Sequence, residues 1–325
     1  MNKTKVYHVC LSSHPEVMYR DVADLNMGFN CLAVAVLETD SRLFAEGFMT
    51  THFHCILQTA SLKELMFRTR YSYTRYFNKK YNRSGRLGEH TYFCLEIDGL
   101  YHTMAALNYV IRQGLHHGMA ATAFGYPHGS ANAFFRKDLG KTETPPLLKD
   151  ESKYRYLPNK IKLPSEYRMT ADGLLLREDV LDVAWVEQIY TSARSFIYQM
   201  NRTSDNDDLS NQQKENALPP VTMSAIEDGV PGFALKEARN NEYGKVNRSV
   251  MTDLELCSLL DKKIVPGLYR DGRYDSLYQL TDSKRAQLCE SLWREYQIAR
   301  MHKEYLSIFS NRFITEAQLR RCLCV

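Results

Sequence analysis

Residues 1–138 alternate between two hydrophobic periods. Lys5–Ser12 is rich in β-branched and aromatic residues and reads as a strand. Asp21–Glu38 carries Val22, Leu25, Met27, Phe29, Leu32, Val36 and Leu37 close to helical spacing. Arg42–Met49 and His52–Gln58 read as one long strand or a bent pair. Ser61–Tyr81 predicts a second helix, with Ser61 as N-cap and Glu64 three residues on in a capping-box pattern. Thr91–Ile97 predicts another strand, closed by Asp98-Gly99, and Leu100–His116 a third helix, stopped near Gly114–Gly118.

The texture changes after Lys137. Residues 139–200 read as a wrapping loop, rich in Pro, Lys and Glu over Leu139–Arg168, followed by an amphipathic helix at Val180–Met200 with Trp185, Ile189, Phe196 and Ile197. Residues 201–220 contain no aromatics and almost nothing apolar, the composition of a polar linker. Residues 221–325 read as mainly helical, with a mixed-charge helix at Thr281–Tyr296 and a short basic one at Ile314–Leu323. This region is either a small helix-turn-helix-like module, with Arg320 and Arg321 contacting DNA, or a packing extension of the core. The expected fold class is α+β with a mainly helical C-terminal extension.

Composition narrows the classes. The 325 residues correspond to ~2 domains at ~100–200 residues each. A hydrophobic fraction of 44% is ordinary for a globular chain. No apolar run reaches the ~18–20 residues of a membrane span, and the polar-flanked start is too short for a signal peptide. The eight cysteines are scattered without a C-x-x-C pair, which points to buried reduced thiols rather than a zinc site. The expected location is the cytoplasm. A net charge of +4 is too small by itself to name a partner.

Candidate chemistry begins at His52-Phe53-His54. Residues two apart in a strand project from one face, and two neutral imidazoles side by side suit a metal ion. Two polar residues on a half-exposed face fit the same pattern. In the third helix, Leu100, Met104, Leu107, Ile111 and Leu115 form the apolar stripe, while Tyr109 and Gln113 lie off it, four residues apart. The carboxamide oxygen is a candidate third ligand for Mg²⁺ or Mn²⁺, and the phenol a candidate nucleophile toward phosphorus. Alone, Tyr109 also fits an amphipathic tyrosine at a helix edge. His102 lies on the Tyr109 side and reads as a surface residue; His116 and His117 receive no role.

Between the two elements, Leu65–Gly88 holds seven basic residues and no acidic one: Arg68, Arg70, Arg75, Lys79, Lys80, Arg83 and Arg86. Tyr71, Tyr73, Tyr76, Phe77 and Tyr81 are interleaved with them. Cations track phosphates and aromatic faces accept unstacked bases, a mixture suited to single-stranded nucleic acid. A charge run is otherwise a solvated helix face.

From Lys5 to about Arg136 the chain resembles the single-tyrosine HUH transposases, especially the REP-associated tyrosine transposase branch. His52-Phe53-His54, the Ser84-Gly85-Arg86-Leu87 turn before a strand, Tyr109 with an amide four residues on, and Tyr126-Pro127 followed by Ser130 carry the resemblance. It implies a ferredoxin-like (RRM-like) antiparallel sheet with helices, the HUH endonuclease core, with the histidines on a central strand beside the tyrosine helix. It also implies that His52, His54 and Gln113 bind Mg²⁺ or Mn²⁺ and that Tyr109 attacks the scissile phosphate. The products would be a 5′-phosphotyrosine link and a free 3′-hydroxyl. The implied partner is single-stranded or hairpin DNA, bound by a monomer or homodimer. The chain departs from the family at Met49-Thr50-Thr51, where Pro-Asn commonly precedes the first histidine, at Thr91, where a basic residue is frequent, and at Arg112-Gln113-Gly114, where Asn-Pro is usual. Two other readings keep the same fold: a catalytically silent nucleic-acid-binding regulator, and a phosphohydrolase with water as nucleophile.

Overall fold

The computed structural model describes residues 4–13, 16–202, 211–212, 214–215, 226, 250–268, 274, 276–301, 309 and 312–325. Six elements come first: β1 (Lys5–Ser12), α1 (Val22–Glu38), β2 (Arg42–Phe48), β3 (His52–Thr59), α2 (Leu62–Lys80) and β4 (Phe93–Ile97). The strands line up as β2-β3-β1-β4, and each adjacent pair is antiparallel. The fold class is α+β. The stretch expected as one long strand or a bent pair is a hairpin. Met49-Thr50-Thr51 makes its turn, with the Met49 N–H donating to the His52 carbonyl at 2.8 Å.

The two faces of β3 meet different chemistry. Phe53 stacks on Phe48 with ring centres 4.9 Å apart, and Phe48 packs edge-on against Phe29 of α1. This face is the apolar core under α1 and α2. The opposite face carries His52 and His54 toward α3 (Leu100–Ile111) and the single turn α4 (Gln113–His116).

Local chemistry sets the element ends. Asp21 caps α1 by accepting the Asp24 N–H at 2.9 Å. Ser61 makes no side-chain cap bond, so the expected capping box does not form; Glu64 pairs with Arg68 at 2.7 Å instead. The helix expected over Leu100–His116 breaks at Arg112, whose buried guanidinium is drawn to the Arg202 carbonyl at 2.6 Å. The helix expected over Val180–Met200 is two, Val183–Tyr190 and Ala193–Asn201, separated at Thr191 with φ 63°. Ser192 restarts the second by accepting the Ser195 N–H.

The Tyr126–Ser130 stretch closes the outer edge of β2. The Phe48 N–H donates to the His128 carbonyl at 2.9 Å, Tyr126 Oη donates to the Phe48 carbonyl at 2.6 Å, and Ser130 Oγ to the Glu46 carbonyl at 2.9 Å. The motif therefore completes the hydrogen bonding of an edge strand. Gly114 permits it: a Cβ there would sit 2.3 Å from the Tyr126 ring.

Most of the 201–220 tract lies outside the described residues. Beyond it, Asp253–Leu259, Asp282–Met301 and Glu316–Leu323 surround a second apolar cluster that includes Leu256, Leu260, Leu292, Tyr296 and Leu319. Val17, from the segment before α1, inserts into that cluster. Three residues on, Arg20 is 1% exposed. It donates to both oxygens of Asp261, at 2.8 and 3.0 Å, and to the Cys322 carbonyl at 2.9 Å. No helix among the described residues is long and apolar enough to cross a membrane.

Losing one member of a buried ion pair leaves the other uncompensated. Arg20→Ala is therefore expected to lower the unfolding free energy by ~3 kcal/mol, read from urea denaturation. It should also expose the 250–325 region to limited proteolysis before the sheet. Unchanged stability and proteolysis would contradict the anchoring role.

Candidate active site

Because side chains alternate along strands, the β3 face opposite Phe53 holds His52 and His54, and the paired β1 contributes His8 and Ser12 to the same face. His8 Nε2 and His54 Nδ1 lie 3.0 Å apart and share a hydrogen bond. Thr51 Oγ1 is 3.1 Å from His52 Nδ1. The ring centres of His52 and His54 are 5.1 Å apart. Each ring thus has its Nδ1 engaged by a neighbour, an arrangement that fixes ring orientation.

The tyrosine helix closes over this face. The Tyr109 ring lies 5.2 Å from His54, 5.7 Å from His8 and 5.5 Å from His116. His117 lies 4.9 Å from His52. Although the helix breaks at Arg112, Gln113 stays with the group because its Nε2 donates to the Tyr109 carbonyl at 3.2 Å. Gly47 makes that approach possible: a Cβ there would meet the Val110 carbonyl at 2.9 Å and Gln113 Cβ at 3.1 Å. His54 Nε2 is buried with no hydrogen-bond partner among the described residues, a costly state for a polar atom, while the Gln113 side chain is hydrogen-bonded to His52. The structure brings His52, His54, Tyr109 and Gln113 into one cluster. It is closed, with Tyr109 only 5% exposed.

Burial holds the imidazoles neutral. It pushes His8 down to about 3, and it pushes His52, His54 and His116 well below the ordinary histidine range. His117 is lowered to about 4, again chiefly by burial, with Asp253 acting in the opposite sense. Neutral imidazoles are the form that binds metal ions. Among the described residues no group of three His, Cys, Asp or Glu side chains is arranged to hold a metal. The donors expected from the sequence are two imidazoles and an amide oxygen, and His8, His116 and His117 stand around them.

Sequence reasoning missed His8, His116, His117 and Asp253. The alternation of β1 places His8 on the His54 face, but only the pairing register reveals it. His102 is not a surface residue: it is buried, and its Nδ1 accepts the Asp98 N–H at 3.1 Å at the start of α3. Asp253 comes from far along the chain. It accepts from Thr50 Oγ1 at 2.8 Å and from Gln318 Nε2 at 3.0 Å. The Thr50-Thr51 pair therefore has its own work here, one hydroxyl tying down the C-terminal region and the other holding His52.

The basic segment is less free than its sequence implies. Arg68 pairs with Glu38 and Glu64, Lys80 with Asp21 and Asp24, and Arg83 with Glu16. Tyr76 Oη donates to Asp24 at 3.1 Å inside the α1–α2 contact. Arg70 donates to two backbone carbonyls. Arg75, Lys79 and Arg86 meet no acidic side chain among the described residues. At the far end of the chain Arg320 pairs with Glu316, and Arg321 lies 3.7 Å from Asp253.

No family model matches the chain, and no curated protein is found to match it. One solved structure, described as a REP-associated tyrosine transposase bound to a REP hairpin, is similar to part of it. The TM-score is 0.33 and the identity 12%, over 44% of this chain and 83% of that one. So slight a likeness carries no chemistry from one protein to the other.

The depressed His8 value has a thermodynamic consequence. As pH falls below ~6.5 the unfolded chain gains a proton at this ring, whereas the folded protein does not until about pH 3. His8 therefore contributes stability that is present above pH ~6.5 and lost as pH falls toward 3. The unfolding free energy of the wild type relative to His8→Asn should drop by ~1.4 kcal/mol per pH unit between pH 6 and pH 4.5. Denaturant titrations of both proteins check this; a pH-independent difference would contradict it.

Proposed function

We propose that the chain is a metal-dependent single-stranded DNA transesterase of the transposase type, with Tyr109 as nucleophile and a ferredoxin-like (RRM-like) core as its scaffold. One observation carries the reading: four groups from two distant segments of the sequence meet in one buried cluster, where His54 Nε2 has no partner among the described residues. Packed cores leave few such atoms. The β1-α1-β2-β3-α2-β4 order, with the strands arranged β2-β3-β1-β4, supports the ferredoxin-like assignment.

His52, His54 and Gln113 would hold Mg²⁺ or Mn²⁺, which when bound supplies Lewis-acid polarisation of the scissile phosphate. Tyr109 Oη forms a bond to phosphorus as the bond from phosphorus to the 3′ oxygen breaks. The proton lost by the phenol is matched by the one the departing 3′ oxygen gains. The result is a 5′-phosphotyrosine and a free 3′-hydroxyl, and the stored ester permits rejoining. His8 and Thr51 orient the two imidazoles through their Nδ1 atoms. DNA enters only if the segment at α4 moves, because Tyr109 is closed off from solvent. Such opening on binding is a common gating step.

That closure favours a second reading, a nucleic-acid-binding regulator that does not cut. One assay separates the two. The protein is incubated with labelled single-stranded hairpin DNA and Mn²⁺, and the products are run on a denaturing gel. A covalent protein–DNA adduct is expected, abolished in Tyr109→Phe and reduced at least ~100-fold in His52→Ala. Retarded DNA without any adduct supports the regulator. Cleavage that persists in Tyr109→Phe contradicts the tyrosine mechanism and points to water as nucleophile.

A further inference from the structure

Away from the histidine cluster, a cleft of about 530 Å³ opens between the outer surface of α2 and the residues leading into β4. Phe67, Tyr71 and Tyr92 line it together with Lys63, Arg70 and Arg86, and no acidic side chain does. Phe67 is 60% exposed and Tyr71 54%. Four residues apart on one helix face, the two rings stack with centres 5.6 Å apart and planes 16° from parallel. Arg75 lies over the Tyr71 ring at 5.6 Å. The result is a flat aromatic platform facing solvent, flanked by positive charge.

Among the described residues no acidic side chain pairs with Arg70 or Arg86. Arg70 donates to the carbonyls of Glu89 at 2.6 Å and His90 at 2.9 Å, which fix its direction without cancelling its charge. Burial, and then the like charge of Arg86, lower the Arg70 guanidinium from its usual range. An anion beside both would relieve that repulsion. Stacking surface and paired guanidiniums together match a nucleotide, because each base offers a π-face and each linkage a phosphate.

The position also fits a strand that continues from the histidine cluster. β4 is the last strand on its side of the sheet, and among the described residues no further strand pairs with its outer edge. Tyr92 and Phe93 are consecutive and so project to opposite faces. Tyr92 lines the cleft, whereas Phe93 packs against His8 at 5.5 Å, and His8 is bonded to His54. A single strand bending round this edge passes from one feature to the other.

We propose that the cleft takes one unstacked nucleotide of single-stranded DNA, its base on the Phe67–Tyr71 platform and its phosphate between Arg70 and Arg86. The inference rests on the nucleic-acid reading above and adds a second contact on the opposite face of the sheet. A duplex keeps its bases stacked on each other and presents no free face to such a platform.

The test uses fluorescence anisotropy with the full chain and two labelled DNA hairpins whose loops are a non-nucleotide linker, one blunt and one carrying a single-stranded flank. Tyr71→Ala, Phe67→Ala and Arg86→Ala alter exposed side chains, and circular dichroism checks their folding. Each variant should bind the flanked hairpin on the order of ten-fold more weakly and the blunt one within about two-fold of wild type. Tyr71→Phe, which keeps the ring, should restore wild-type affinity. Unchanged affinity for the flanked hairpin overturns the proposal, and so does an equal loss for both hairpins. The covalent-adduct assay is run alongside. An adduct in the wild type with undiminished flank affinity in the variants sinks the cleft and spares the tyrosine chemistry. Flank-specific loss without an adduct does the reverse, and a wild type that binds neither hairpin overturns both.

Discussion

Two buried imidazoles on a central strand are the constraint on which the rest of this structure depends. A buried histidine stays neutral and needs a partner for at least one of its ring nitrogens. β3 meets that demand from both flanks: His8 on β1 bonds His54, and Thr51 in the hairpin turn bonds His52. The same alternation places Phe53 on the other face, stacked on Phe48 under α1. One strand thereby divides the sheet into a structural face and a polar one. Gly47 on β2 lets α3 and α4 approach closely enough to bring Tyr109 and Gln113 over the polar face.

The region beyond residue 250 is tied into this arrangement rather than hung from it. Asp253 bonds Thr50, next to the residue that holds His52, and its charge acts on His117. Arg20, just before α1, grips Asp261 and the Cys322 carbonyl. A change in how the C-terminal helices sit would reach the histidine face through a single hydrogen bond.

Much of the fold was legible in the sequence, because alternation and helical spacing are local signals. β1 matches its expected limits, and α1 and α2 differ from theirs by about a residue at either end. His52, His54, Tyr109 and Gln113 were legible as candidates, since strand and helix periods specify which residues share a face. What escaped depends on contacts distant in sequence. At the break at Arg112 the side chain reaches the distant Arg202 carbonyl, and the break at Thr191 is a left-handed residue that apolar spacing does not register. The acid-free stretch at 65–88 was acid-free only along the chain, because Asp21, Asp24, Glu16 and Glu38 fold back onto it. His8 joined the site through strand register, and Asp253 through a docking surface that no periodicity announces.

The partnerless His54 Nε2 is the atom at which a bound metal ion is most directly sought. Crystals of the protein grown with Mn²⁺ and measured at the manganese absorption edge locate the ion without reference to activity. One anomalous peak bounded by His52, His54 and Gln113 is expected, lost in His54→Ala. An unchanged, empty cluster in crystals that hold Mn²⁺ elsewhere would contradict it.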